Sequence, residues 1–209
     1  LGNVIDPNLL TDEFGLDQTR YFLMREVPFG NDGDFSRRAM IHRMNGDLAN
    51  DLGNLSQRVL SMIFKSCSGV MPALPATAAP EDGALLEAAD AMLGRVRAHM
   101  DVQSFHEALR CIWEVVSDAN KYVDTTAPWG LKKTDPVRMG EVLAVLAETI
   151  RQTAILVQPV MPGSASKILD QLGVADDQRG FDMLAGAGRI VAGVDISRPE
   201  PIFPRFVEE

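Results

Sequence analysis

Residues 36–69 read SRRAMIHRMNGDLANDLGNLSQRVLSMIFKSCSG, and this stretch decides the fold. Met40, Met44, Leu48, Leu52, Leu55, Val59 and Met62 recur at spacings of 4, 4, 4, 3, 4 and 3, laying one apolar stripe along a helix. At 3.6 residues per turn the helix runs for about seven turns. Ser36 starts it, and it ends near Cys67-Ser68-Gly69. The stripe reads as core. Beside it, Asp47, Asn50, Asp51, Asn54, Arg58, Ser61 and Lys65 make a polar face.

Working outward, the neighbouring segments are helical too. Asp6-Pro7 is an N-cap followed by proline at the first helical position, and Gly15 closes that short helix. Asp17 is expected to cap a second helix through Tyr21, Phe22 and Met24, broken by Pro28 and the turn from Gly30 to Gly33. Val4-Ile5 and Val27-Pro28-Phe29 are candidate extended pieces. After the long helix, Met71 to Pro80 is an aperiodic Pro/Ala linker. Helices follow over about Glu81–Met100, Gln103–Thr125 and from Asp135-Pro136 to Pro159, with a last one over Ser164–Leu172 closed by Gly173. Thr126-Ala127-Pro128-Trp129-Gly130 is expected to form a loop, because the residue before proline avoids the α region. The tail from Val174 is Gly- and Asp-rich and ends in an extended run, Pro199 to Arg205, packed back on the bundle. The fold class is all-α: four or five antiparallel helices in a bundle, preceded by a small module.

Composition narrows the function. The net charge of −9 over 209 residues is the wrong sign for a non-specific nucleic-acid binder, although a local basic strip can override the mean. One exists in Arg37, Arg38, His42 and Arg43, continued by Arg58 and Lys65, with a plain solvated helix face as the competing reading. There is no apolar run long enough to span a membrane and no export signal, and the chain begins at Leu1, as a piece of a longer protein would. Cys67 and Cys111 lack any zinc-ligand spacing and read as reduced structural thiols of a cytoplasmic protein. No metal site is expected. His42, His99 and His106 have no nucleophile partners, and Gly186-Ala187-Gly188 reads as a turn, so the sequence presents no catalytic group.

What remains is recognition. Asn54 and Arg58 lie four residues apart, so their side chains adjoin on the helix. An amide offers donors and acceptors and a guanidinium offers a rigid donor fork, a combination suited to base edges or, equally, to hydrogen bonds within the bundle. Trp129 is either a stacking platform for an unpaired base or a lid over the bundle end. Trp113, between Leu109 and Val116, reads as core.

Several runs resemble one family. Leu1-Gly2-Asn3-Val4-Ile5-Asp6-Pro7 is similar to the segment after the Lys-Met-Ser-Lys-Ser loop of class I aminoacyl-tRNA synthetases. Gly15-Leu16-Asp17, Arg20 to Gly30, Asp32-Gly33-Asp34-Phe35-Ser36, Asn45 to Asn50 and Gly53 to Arg58 resemble the bacterial methionyl branch. So do Ala127-Pro128-Trp129, Pro159-Val160-Met161-Pro162 and Ile202-Phe203-Pro204-Arg205. The resemblance implies a C-terminal fragment with a stem-contact module over residues 1–33 and a helical anticodon-binding domain over 34–209. It implies that Asn54, Arg58 and Trp129 read the anticodon of methionine tRNA, with Arg37, Arg38 and Lys65 against its backbone. The parent enzyme would use ATP and Mg²⁺ to ligate methionine to tRNA. This chain, without the catalytic half, would bind neither cofactor and be inactive by itself, its partners being the tRNA and that catalytic half. No dimerisation domain follows Glu209, so a monomer is expected. The rivals are the anticodon domain of a valyl, isoleucyl, leucyl or cysteinyl synthetase, and a helical interaction module with no nucleic-acid role.

Overall fold

The computed structural model describes residues 5–31, 35–184 and 186–207. Val4, the Gly33 end of the first turn, the boundary between residues 33 and 34, and the Leu1–Val4 and Asp32–Asp34 parts of the quoted runs lie outside those residues. Everything regular within them is helical, apart from one isolated antiparallel bridge between Val70 and Asp195.

Helix α1 (Pro7–Phe14) starts as expected, Asp6 accepting from the Asn8 N–H at 2.8 Å. Gly15 ends it with φ 92°, a left-handed conformation that favours glycine, and α2 (Leu16–Glu26) begins at once. Asp17 therefore does not cap its own helix. Its carboxylate turns inward and accepts from the backbone N–H of Ser164, in the first turn of α9 (Pro162–Gln171), one of the donors a helix start leaves unpaired. Arg20 donates to the carbonyls of Val160 (2.8 Å) and Pro159 (2.7 Å), so two residues of α2 grip the turn that enters α9. Val27 is extended, but Phe29 is not: it lies in a turn closed by the Asn31 N–H donating to the Pro28 carbonyl at 3.1 Å.

The long helix is continuous from Arg37 to Ser66 but not uniform. It comprises α3 (Arg37–Arg43), a π-helical stretch Met44–Gly53 and α4 (Asn54–Ser66). Met40 and Met44 pack with Phe14 and Phe22 in a small satellite core, whereas Leu48, Leu52, Leu55 and Val59 enter the main one. The wide π turns carry the stripe from the first core to the second. Met62 is only partly buried.

The linker before α5 (Pro80–Asp101) is not loose. Met71 is buried and exchanges backbone hydrogen bonds with the tail, donating to Val194 (2.8 Å) and accepting from Gly193 (2.9 Å). Helix α5 turns at residues 102–104 into α6 (Phe105–Thr126), which short connections place antiparallel to it. The short α7 (Pro128–Thr134) leads to α8 (Pro136–Val157), the axis of the bundle, in which every residue from Val142 to Val157 is buried. Burial there includes charge. Glu148 accepts two bonds from Arg151 (2.9 and 2.8 Å), one from Gln152 (2.9 Å) and one from the Ile190 N–H (2.9 Å), while Arg151 also donates to the Met183 carbonyl (2.9 Å). This network fastens the Gly-rich tail to α8, and Ile196, Ile202 and Phe203 complete the packing as buried apolar residues.

Candidate nucleic-acid interface

Packing divides the polar face of the long helix into scaffold and surface. Asp47 is scaffold: its carboxylate accepts from the Tyr21 hydroxyl (2.7 Å) and Arg43 (3.2 Å), and its carbonyl from the Trp113 indole (3.1 Å). Trp113 is core, its ring centroid 4.6 Å from that of Tyr21 with the two planes tilted by 42°. The Asp51 carbonyl accepts from Asn120 (3.3 Å), and burial, with Asp47 nearby, raises the Asp51 carboxyl above its ordinary value. Gln57 donates to Ser61.

The outward residues are Asn50, Asn54, Arg58 and Lys65. Asn50 accepts from Arg205 of the tail at 3.1 Å. Asn54 is exposed, and among the described residues its amide makes no hydrogen bond. One turn on, Arg58 donates to Asp124 at 2.9 Å and places its guanidinium 5.6 Å from the centre of the Trp129 ring. Arg58 and Trp129 are thus brought together from segments 71 residues apart in sequence, with Asn54 beside them on the same helix.

Trp129 reaches this place by a route the sequence reading misjudged. Helix α6 ends at Ala127, held at φ 43° and ψ 58°, because proline at 128 denies its predecessor the α region. Pro128 then opens α7 rather than a loop: proline's missing N–H is harmless at a first helical position. Trp129 stands as the second residue of that helix, 52% exposed, and is no part of the core.

The basic strip is uneven. Arg37 pairs with Glu13 and lies over the rings of Phe14 (5.2 Å) and Phe206 (5.7 Å), and Arg43 pairs with Glu26 and Asp47. Arg38, His42 and Lys65 are exposed.

Between the long helix and the tail lies a groove of about 250 Å³ lined by Asn50, Gly53, Asn54, Phe203 and Arg205, among others. Gly53 is required here. A Cβ on it would sit 2.8 Å from the Leu48 carbonyl and 3.4 Å from the Phe203 ring. Sequence reasoning did not find Asp124 or the Asn50–Arg205 pair. The quoted run Ile202-Phe203-Pro204-Arg205 was a usable signal for the pair, while nothing in the spacing of Asp124 marked it.

Among the described residues no group of three or more His, Cys, Asp or Glu is placed to hold a metal, and no helix is long and apolar enough to cross a membrane. Both cysteines are free, and burial pushes both thiols above their ordinary value.

Residues 72–209 match the family described as the anticodon binding domain of methionyl tRNA ligase, and residues 1–60 match tRNA synthetases class I (M). The chain is 53% identical over 209 residues to the methionine–tRNA ligase of Brucella suis biovar 1, covering 100% of this chain and 40% of that protein. It is 51% identical over 207 residues to that of Rhizobium meliloti, covering 99% and 40%. The crystal structure of free-state Mycobacterium tuberculosis methionyl-tRNA synthetase superposes with a TM-score of 0.95 at 45% identity, over 99% of this chain and 42% of that one. A structure of that enzyme in complex with methionyl-adenylate superposes with a TM-score of 0.94 at 47% identity, over 98% and 40%. The chain spans about 40% of the length of the curated relatives it matches. The methionyl specificity of these matches sets aside the valyl, isoleucyl, leucyl and cysteinyl rivals, and the chain belongs to the methionyl-tRNA synthetase family, matching its anticodon binding domain over residues 72–209.

Proposed function

We propose that the face carrying Asn54, Arg58 and Trp129 reads the anticodon of methionine tRNA. The carrying observation is the Arg58 guanidinium set 5.6 Å from the centre of a half-exposed Trp129 ring, beside an Asn54 amide that is exposed and uncommitted among the described residues. A base stacked on that indole gains about 1–3 kcal/mol whatever its identity. Asn54 and Arg58 supply the hydrogen bonds that make the choice of base selective. Arg38 and Lys65, with Arg37 nearby, contact phosphates and fix register without reading sequence.

Residues 1–33 act as a stem-contact module and 34–209 as the anticodon bundle, joined by the grip of Asp17 and Arg20 on the turn before α9. The parent enzyme is a methionine–tRNA ligase, whose catalytic half supplies ATP and Mg²⁺ chemistry. This chain contributes recognition and acts as a monomer in the cytoplasm.

The test is Trp129→Ala. Binding of a methionine anticodon stem-loop falls about 5- to 150-fold, the equivalent of the stacking energy, with an unchanged circular dichroism spectrum. Undiminished binding by a folded variant refutes the assignment.

A further inference from the structure

Helix α7 carries Trp129 yet has little core of its own: only Pro128 is buried in it. Leu131 packs against the main core from a partly buried position, and the segments entering and leaving the helix supply the rest of its orientation. Both converge on one buried carboxylate of a third helix. Asp82, in the first turn of α5 and fully buried, accepts from the Tyr122 hydroxyl at 2.6 Å through Oδ1. Arg138 engages both of its oxygens, at 2.6 and 2.7 Å. Tyr122 stands in the last turns of α6, seven residues before Trp129, and Arg138 in the first turn of α8, nine residues after it.

We propose that Asp82 is a positioning residue for the Trp129 platform, clamping the two ends of the 123–137 segment so that the indole stands against Arg58. A two-point contact between a planar guanidinium and a carboxylate fixes direction as well as distance, which one bond does not. The Tyr122 contact fixes the other end, and the Tyr122 carbonyl accepts from Thr126 (2.7 Å), carrying the anchor to the residue before the Ala127 reversal. Burial alone would raise the Asp82 carboxyl, but the hydrogen bonds from Arg138 and Tyr122 outweigh it and hold the group below its ordinary value, so it is charged near neutral pH. The clamp concerns geometry in the free protein. Its consequence for RNA rests on the anticodon reading above.

The chain has two tryptophans, which gives the test an internal control. The protein is labelled with 5-fluorotryptophan and its two ¹⁹F resonances are compared in wild type, Asp82→Asn and the milder Tyr122→Phe, with assignment through Trp129→Ala. The Trp129 resonance should shift or broaden in both variants while that of Trp113, held in the core by Asp47, stays in place. Affinity for the methionine anticodon stem-loop should fall about tenfold in Asp82→Asn. Restoring the carboxylate as Asp82→Glu should recover part of both effects. An unmoved Trp129 resonance in a folded variant overturns the clamp, and so does equal movement of both resonances, which marks general loosening. If the Trp129 resonance moves as expected but Trp129→Ala leaves affinity unchanged, the clamp stands and the base-reading role of Trp129 falls.

Discussion

Glu148→Ala should be among the most damaging single changes in this chain. Glu148 and Arg151 have side-chain exposures of 0% and 1%. Removing the carboxylate leaves the guanidinium buried with only the Met183 carbonyl as a partner, and strips an acceptor from the Ile190 N–H and from Gln152. Breaking a buried pair from one side costs about 3–5 kcal/mol, because the remaining charge cannot recover its hydration. Against a typical total of about 5–15 kcal/mol, that is a large fraction of stability. Urea unfolding followed by circular dichroism should show a midpoint lowered accordingly with a similar slope. Amide exchange at Ile190 should accelerate beyond the global effect, since its acceptor is gone. The exposed pair Lys121–Asp118, with exposures of 72% and 54%, is the control, and Asp118→Ala should change stability by less than about 0.5 kcal/mol. A loss below about 1 kcal/mol for Glu148→Ala would place the pair on the energetic footing of a surface contact and refute the reasoning.

Three further outcomes are expected. Gly53→Ala should destabilise by about 1–3 kcal/mol, because its methyl meets the Leu48 carbonyl and the Phe203 ring, and denaturant titration reads this directly. Arg58→Ala should erode discrimination between anticodons more than general affinity; a uniform loss with a shallower salt dependence would mark a phosphate contact instead. The depressed folded-state pKa of Asp82 contributes stability that is present above the unfolded carboxylate value of about 3.9 and is lost as pH falls through the folded value. Asp82→Asn should therefore flatten the acid limb of the stability–pH curve below about pH 4, and an unaltered limb would contradict this.

The stripe from Met40 to Val59 made the all-α architecture legible, since periodicity reports which face is buried whatever the partner. It also held an unread detail. Three successive spacings of four would rotate an α-helical stripe by about 40° each, about 120° in all, and the π-helical turns at Met44–Gly53 absorb that drift. Long-range polar partners were not legible. Asp17 looks like the cap of its own helix, and only the fold shows that it caps α9. Asp82, Glu148 and Arg151 are buried, and the sequence carries no mark of the bonds that make their burial tolerable. Asn54 and Arg58 could be paired from their spacing, but the meeting of Arg58 with Trp129 depends on the reversal at Ala127, which appeared as a loop.

The most direct test of anticodon reading is a titration of this chain with a methionine anticodon stem-loop and with the same stem-loop carrying a changed anticodon, at two salt concentrations. The account predicts tighter binding of the methionine anticodon at both salts, with the preference lost in Trp129→Ala. Equal, salt-sensitive binding of the two stem-loops would contradict it, leaving a charged strip that holds phosphates and reads nothing.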